Sequence, residues 1–256
     1  MIVANHNVWA DRVFYPYVIW LFKKHFHAIH LLGEIPDLPA DLPLLLLPNH
    51  STWWDGFFAY LLNKKLFRRV GYLMMLEEQL AKYRFFARIG AYSVEPEAPK
   101  SVLASLNYSV SLLQQKSMPR PMLCLFPQGD LQPWEARPIS YKRGLEWLLK
   151  RYAEAVNLLP LAIRAEFLGE QRPEVFFLLG QNYQLNYRTF PGMDWLEEVE
   201  NILLDDLAKR IARGEAGQIL LRGYRSVNVV CDSGVKKIKN LIKGDRSSTW
   251  SFFCTL

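Results

Sequence analysis

Cysteine is scarce in this chain. Its 256 residues hold three, Cys124, Cys231 and Cys254, widely spaced and odd in number. That excludes a disulfide framework and a CxxC metal motif, and it suits a reducing compartment. Long apolar runs are lacking as well: the stretch Val13 to Phe22 is about half of the roughly 20 residues a membrane-spanning helix needs. Met1 to His6 has no basic region, and Asp11 and Arg12 interrupt the apolar run that follows, so no secretory signal is expected. RRM, zinc-finger and helix-turn-helix patterns are absent, which removes nucleic acid from the expected partners. There is no GxSxG elbow for a serine hydrolase, and neither an internal repeat nor a low-complexity linker divides the chain.

What is present suits one large α/β domain, or a domain with appended helices. Half of the residues are hydrophobic and 14% are aromatic, rich in rings for a water-soluble enzyme. The net charge is +6 and the pI about 9.2, which suggests an anionic partner such as acidic lipid headgroups or a polyphosphate cofactor.

The first region, Val8 to about Leu32, carries Trp, Tyr and Phe next to Lys23 and Lys24, residues suited to a headgroup boundary. It reads either as an interfacial helix or as an ordinary helix packed on the core, with His25, His27 and His30 as interfacial residues rather than a metal site. Pro36, Pro39 and Pro43 mark a connection, after which Leu44 to Leu47 predicts a buried strand. Thr52 is placed to cap a helix from Trp53 to about Asn63. Further strands are predicted at Val70–Leu76, Met122–Phe126, Leu158–Ala165 and Val175–Leu179, and further helices at Glu77–Ile89, Ser101–Gln115, Tyr141–Ala155 and Trp195–Arg213. Strands separated by helices predict an α/β fold, a central and mostly parallel sheet flanked by helices, with its site at the strand ends. The basic tail from Ser226 is left unassigned.

The chemistry gathers at Asn49-His50-Ser51-Thr52-Trp53-Trp54-Asp55. His50 follows an apolar strand, and Asp55 begins the next helix. Across a strand-to-helix turn the carboxylate can fold back onto the imidazole, fixing its tautomer and leaving the second ring nitrogen free to accept a proton. A general base acting on a hydroxyl needs that arrangement. By itself the spacing also fits a structural histidine in a turn.

Four blocks in order give the spacing more weight. Asn49 to Asp55 resembles an NHxxxxD block, and Gly90-Ala91-Tyr92-Ser93-Val94-Glu95 sits where a glycine-initiated second block is expected. Phe126-Pro127-Gln128-Gly129-Asp130 is similar to FPEGTR, Tyr141-Lys142-Arg143-Gly144 to FKxG, and Leu159-Pro160-Leu161-Ala162-Ile163 to a proline-containing fourth block. From about Leu44 to Gly180 the chain thus resembles the lysophospholipid and 1-acylglycerol-3-phosphate O-acyltransferase family. The resemblance implies transfer of a fatty acyl group from acyl-CoA or acyl-carrier protein, as co-substrate, to a lipid hydroxyl at the cytoplasmic face of a membrane. His50 would act as base and Asp55 as its partner, with no metal and no further cofactor. It places acceptor and oxyanion contacts at Gln128, Gly129, Asp130, Lys142 and Arg143, the backbone near Gly129 donating to the oxyanion. It divides the chain into an interfacial segment (1–35), an acyltransferase domain (36–225) and a basic tail (226–256).

Departures from the pattern bear on the acceptor. Pro96, Gln128 and Leu131 stand where the family has an arginine, a glutamate and an arginine. Without those guanidinium forks a phosphorylated acceptor is in doubt unless Arg137, Lys142 or Arg143 compensates, and a glycolipid becomes an option. Trp53, Trp54, Phe57 and Phe58 either line an acyl channel or pack the helix. Lys64, Lys65, Arg68 and Arg69 either attract phosphates or form a solvated basic turn. Two other readings stay open: a silent lipid-binding protein that keeps the fold, and a thioesterase or lipid hydrolase.

Overall fold

The structure is a computed structural model that describes residues 1–215 and 217–225. The basic tail, with Cys231 and Cys254, lies outside the described residues.

Helix α1 (Val8–His25) is capped by Asn7, whose side chain accepts from the N–H groups of Trp9 and Ala10. It leads into β1 (Ala28–Leu32), then β2 (Leu44–Pro48), α2 (Asp55–Leu62), β3 (Gly71–Leu76), α3 (Glu77–Lys82), β4 (Ala91–Val94) and α4 (Pro99–Leu113). After these come β5 (Met122–Cys124), α5 (Gly144–Tyr152), β6 (Val156–Glu166), β7 (Glu174–Leu179), β8 (Tyr183–Leu185), α6 (Met193–Ala212) and β9 (Gln218–Arg222). One sheet takes all nine strands of the described residues, in the order β4-β3-β5-β2-β6-β7-β1-β9, with β8 paired to the first half of β6. The five strands from β4 to β6 run parallel. The turn from β6 to β7 reverses direction, and β1 follows β7. The expected α/β architecture with a mostly parallel sheet is the one observed.

The alternation of side chains across the sheet explains the leucine run at 44–47. Leu45 and Leu47 enter the core beneath α4, α5 and α6, while Leu44 and Leu46 enter the core beneath α1 and α2. A central parallel strand is covered on both faces, so every position must be apolar. Strands β2 and β6 lie side by side with Leu44 opposite Asn157 and Pro48 opposite Leu161, which brings the chain beyond both strands to the same sheet edge.

Several elements differ from the sequence-based expectation. Strands β1, β4, β8 and β9 were not predicted, and β1 falls in the segment assigned to the interface. The 77–89 helix breaks into α3 and a 3-10 turn at Arg84–Ile89. Helix α2 starts at Asp55, because Thr52 spends its hydroxyl on the Asp55 carboxylate and on the Trp54 N–H. His30 is a core residue rather than an interfacial one: it is buried in β1, stacks on Phe176 and meets Glu174 at 2.6 Å.

Candidate active site

The site forms where β2 ends. Asn49 is buried, accepts from the Ile163 N–H at 2.7 Å and donates to the Ile163 carbonyl at 3.1 Å. One amide side chain thereby continues the β2–β6 ladder past Pro48, which has no N–H to donate. That fixes where His50 leaves the sheet.

His50 is held on three sides. Its ring lies on Phe126, centroids 4.2 Å apart and nearly parallel. Its backbone N–H donates to Gln128 Oε1 at 2.6 Å, and its carbonyl accepts from the Gln132 N–H at 2.8 Å. Its Nδ1 stands 2.9 Å from Asp55 Oδ2. Asp55 has no solvent exposure, so its charge must be met inside the protein. It is met four times. Oδ2 also accepts from the Ser51 and Thr52 N–H groups at 2.7 and 2.8 Å, and Oδ1 accepts from the Thr52 hydroxyl at 2.6 Å. A carboxylate can only accept here, so His50 donates through Nδ1–H and its Nε2 carries the lone pair. The imidazole side chain retains 24% exposure.

Cys124, the last residue of β5, feels the Asp55 charge and is not a nucleophile. It is fully buried, and burial first, then the Asp55 charge, push its thiol well above the usual range; a thiol that does not ionise is inert.

The other residues singled out from the sequence are distributed as follows. Gln128 is buried and its amide is spent on the loop itself, accepting from His50 and donating to Gln132 at 3.0 Å. Gly129 sits at φ +80°, and a Cβ there would press on the Lys142 stem at 3.1 Å. Its N–H closes a turn onto the Phe126 carbonyl at 3.0 Å, which removes this group as an oxyanion donor. Asp130 and Lys142 face each other at 3.9 Å and are largely exposed, and Arg143 is exposed just before α5. Arg137 is taken by Asp205 at 3.6 Å and by the carbonyls of Trp134 and Ala136. Trp54 packs against Phe22, His25 and Phe26 at the end of α1. Phe57 packs against Phe14 and Phe86, while Trp53 beside it is 63% exposed.

The basic run at 64–69 belongs to the opposite edge of the sheet. Helix α2 leaves the His50 edge and returns to the start of β3, where Gly71 and Leu44 both pair with Met122. Lys64 is paired with Asp11. Arg69 is buried and donates to the carbonyls of Leu38, Pro39, Leu42 and Arg120. It clamps the proline-rich connection and binds no phosphate at the site.

Asn49, Phe126, Gln132 and Arg164 were not given individual roles from the sequence. Each acts through a partner distant along the chain, so local spacing carried no signal for them.

Helix α1 turns apolar side chains both ways. Ala10, Phe14, Val18 and Phe22 are buried in the core, while Trp9, Val13, Tyr17 and Trp20 remain exposed along the outer side. Arg12 lies over the Trp9 ring and Lys24 over Trp20. Among the described residues no helix is long and apolar enough to cross a membrane.

No protein-family model and no curated protein sequence matches the chain. Among solved structures it is similar to the 1-acyl-sn-glycerophosphate (LPA) acyltransferase PlsC from Thermotoga maritima, with a TM-score of 0.53 and 15% identity over 79% of this chain and 78% of that one. An identity that low speaks for the fold alone: the chain shares the α/β fold of that acyltransferase, and the His50–Asp55 pair stands at the end of its second strand.

Proposed function

We propose that the protein is an O-acyltransferase that moves a fatty acyl group from a CoA or carrier-protein thioester to a hydroxyl of a lipid acceptor. The observation that carries this reading is the 2.9 Å contact between His50 Nδ1 and a buried Asp55 already holding three other donors, on the fold of a solved acyltransferase.

In this reading His50 Nε2 takes the proton of the acceptor hydroxyl as its oxygen attacks the thioester carbonyl. Asp55 stabilises the imidazolium that forms. The tetrahedral intermediate collapses by breaking the C–S bond, and the leaving thiolate receives the proton from His50. The acyl group ends on the acceptor oxygen, and no covalent enzyme intermediate is needed. Wild-type protein should release free thiol from a long-chain acyl-CoA only when a hydroxyl lipid is present, and His50→Ala should lower that rate by about 10²–10⁴-fold. Equal turnover by the variant would refute the role of His50. Fatty acid released without acceptor would mark a thioesterase, and lipid binding with no turnover a silent member of the fold.

We further infer that the protein works at a membrane surface as a peripheral protein. The outer stripe of α1 supports this, because four large apolar side chains on one helix face, flanked by Arg12 and Lys24, suit insertion to headgroup depth. Exposed Trp53 packs on partly exposed Phe57, which in turn packs on Phe14 of α1, and these rings offer an apolar surface for the acyl chain. Trp9→Glu combined with Val13→Glu should abolish sedimentation with vesicles containing acidic lipid and leave the melting temperature within a few degrees, because both side chains already face solvent. Undiminished sedimentation would assign the membrane contact elsewhere.

A further inference from the structure

The charges around His50 are arranged in pairs. Three of the four cations on the 126–143 segment and at the end of β6 have a carboxylate partner: Lys142 has Asp130 at 3.9 Å, Arg137 has Asp205 at 3.6 Å, and Arg164 has two. The exception among the described residues is Arg143, exposed to solvent at the start of α5, where water screens its charge.

Arg164 is the informative case. Asn49 hydrogen-bonds both backbone groups of Ile163, which puts Arg164 one residue beyond the point where the His50 loop joins β6. Its Nη2 donates to Glu135 at 2.6 Å and its Nε to Glu166. Glu135 is carried by the segment whose Gln132 holds the His50 carbonyl, and it is 78% exposed at its side chain while Arg164 is 20% exposed. A mostly buried guanidinium is thus covered by an exposed carboxylate at the rim of the site. Flanked by two carboxylates, Arg164 presents no net positive charge, and a phosphate placed there would meet like charges at close range. Carboxylates accept from hydroxyl groups and a guanidinium donates to hydroxyl oxygens, so the same cluster can serve a neutral polyol at both ends.

We propose that the acceptor presents an uncharged, polyhydroxylated headgroup such as a sugar or glycerol, and that Arg164, Glu135 and Glu166 read its hydroxyls and reject a phosphorylated one. The inference rests on the acyl-transfer reading above. It makes Glu135 and Glu166 specificity determinants and leaves the chemistry with His50.

The test compares kcat/KM for thiol release from one acyl-CoA with three acceptors of equal chain length: an alkyl glucoside, a monoacylglycerol and its 3-phosphate. Wild type should favour at least one neutral acceptor over the phosphate by tenfold or more, roughly the effect of one charge-assisted hydrogen bond. Glu135→Gln with Glu166→Gln should raise kcat/KM for the phosphate about tenfold by freeing Arg164, a gain that a misfolded protein cannot show. If wild type uses the phosphate as well as or better than both neutral acceptors, and His50→Ala abolishes that release, acyl transfer stands and the headgroup assignment falls. If no acceptor supports release that depends on His50, the transfer reading fails and the headgroup assignment falls with it.

Discussion

Replacing Asp55 with asparagine should cost about 10²–10⁴-fold in turnover while leaving the protein folded. The carboxylate does two jobs with two oxygens: Oδ2 takes His50 Nδ1–H and the Ser51 and Thr52 N–H groups, and Oδ1 takes the Thr52 hydroxyl. An asparagine can keep its carbonyl on the backbone pair and turn its NH₂ to Thr52, whose hydroxyl then accepts. The imidazolium formed during the reaction loses its counter-charge in that arrangement. With the amide turned the other way, the NH₂ donates to Nδ1 and drives the proton onto Nε2, the nitrogen that must act as base. Both outcomes slow proton transfer. Asp55→Ala goes further, leaving two buried N–H groups and a hydroxyl without an acceptor at about 1–3 kcal/mol each, so it should also melt at a lower temperature. Because His50 and Asp55 act as one unit, combining His50→Ala with Asp55→Asn should cost little more than His50→Ala alone. Thiol release and thermal melts on the four variants measure this, and fully additive losses for the double variant would show that the two residues act separately.

A second large effect concerns stability and pH. Glu200 on α6 has no solvent exposure, and among the described residues neither of its carboxylate oxygens has a hydrogen-bond partner. Burial pushes its carboxyl up to about 8, against a smaller opposing pull from Arg137. Tyr141 nearby is also buried, its hydroxyl has no partner, and burial and then the charge of Glu200 raise it too. The sign follows from which state holds the proton. Between the ordinary value of 4.5 and about 8, folded Glu200 is protonated while the unfolded chain has released its proton, so stability falls as pH rises across that window and levels off above it. At about 1.4 kcal/mol per pH unit the loss is on the order of 4–5 kcal/mol, a large share of a typical domain stability. Glu200→Gln removes the titration and should flatten the dependence. Urea midpoints at pH 5, 7 and 9 for both proteins decide it, and parallel curves would place the pH dependence elsewhere. Since Tyr141 directly precedes Lys142, which covers Gly129, loss of activity at high pH is expected to follow loss of this packing.

Much of the architecture was legible because its signals are local. The leucine run at 44–47, set between prolines, reads as a buried strand, and the apolar cores of β5, β6 and β7 read the same way. The unpredicted strands lack that signal. In β1, His30 interrupts the apolar pattern, and it is tolerated there because Glu174 and Phe176 receive it from the neighbouring strand. β4 and β8 are four and three residues long, too short to show a period, and they are strands because β3 and β6 offer them a ladder. For α1, the sequence supported both a core helix and an interfacial one, and the structure shows an inner stripe in the core and an outer stripe left exposed.

The same division runs through the site. The sequence by itself carried the His50–Asp55 contact, because a strand-to-helix turn of five residues can fold the carboxylate back onto the imidazole, where Ser51 and Thr52 donate to it as well. It also determined that Pro96 and Leu131 stand where the resembled family has arginines and Gln128 where it has a glutamate. Only the tertiary structure decided what became of the other polar residues. Gln128 closes onto the His50 backbone from 78 residues away, Asn49 onto Ile163 from 114, and Arg164 is matched by a carboxylate from the facing loop. Those pairings arise where parallel strands deliver distant segments to one sheet edge. Short-range spacing cannot encode a partner that a crossover connection supplies, so the His50–Asp55 pair was readable in the chain and the charge balance around it was not.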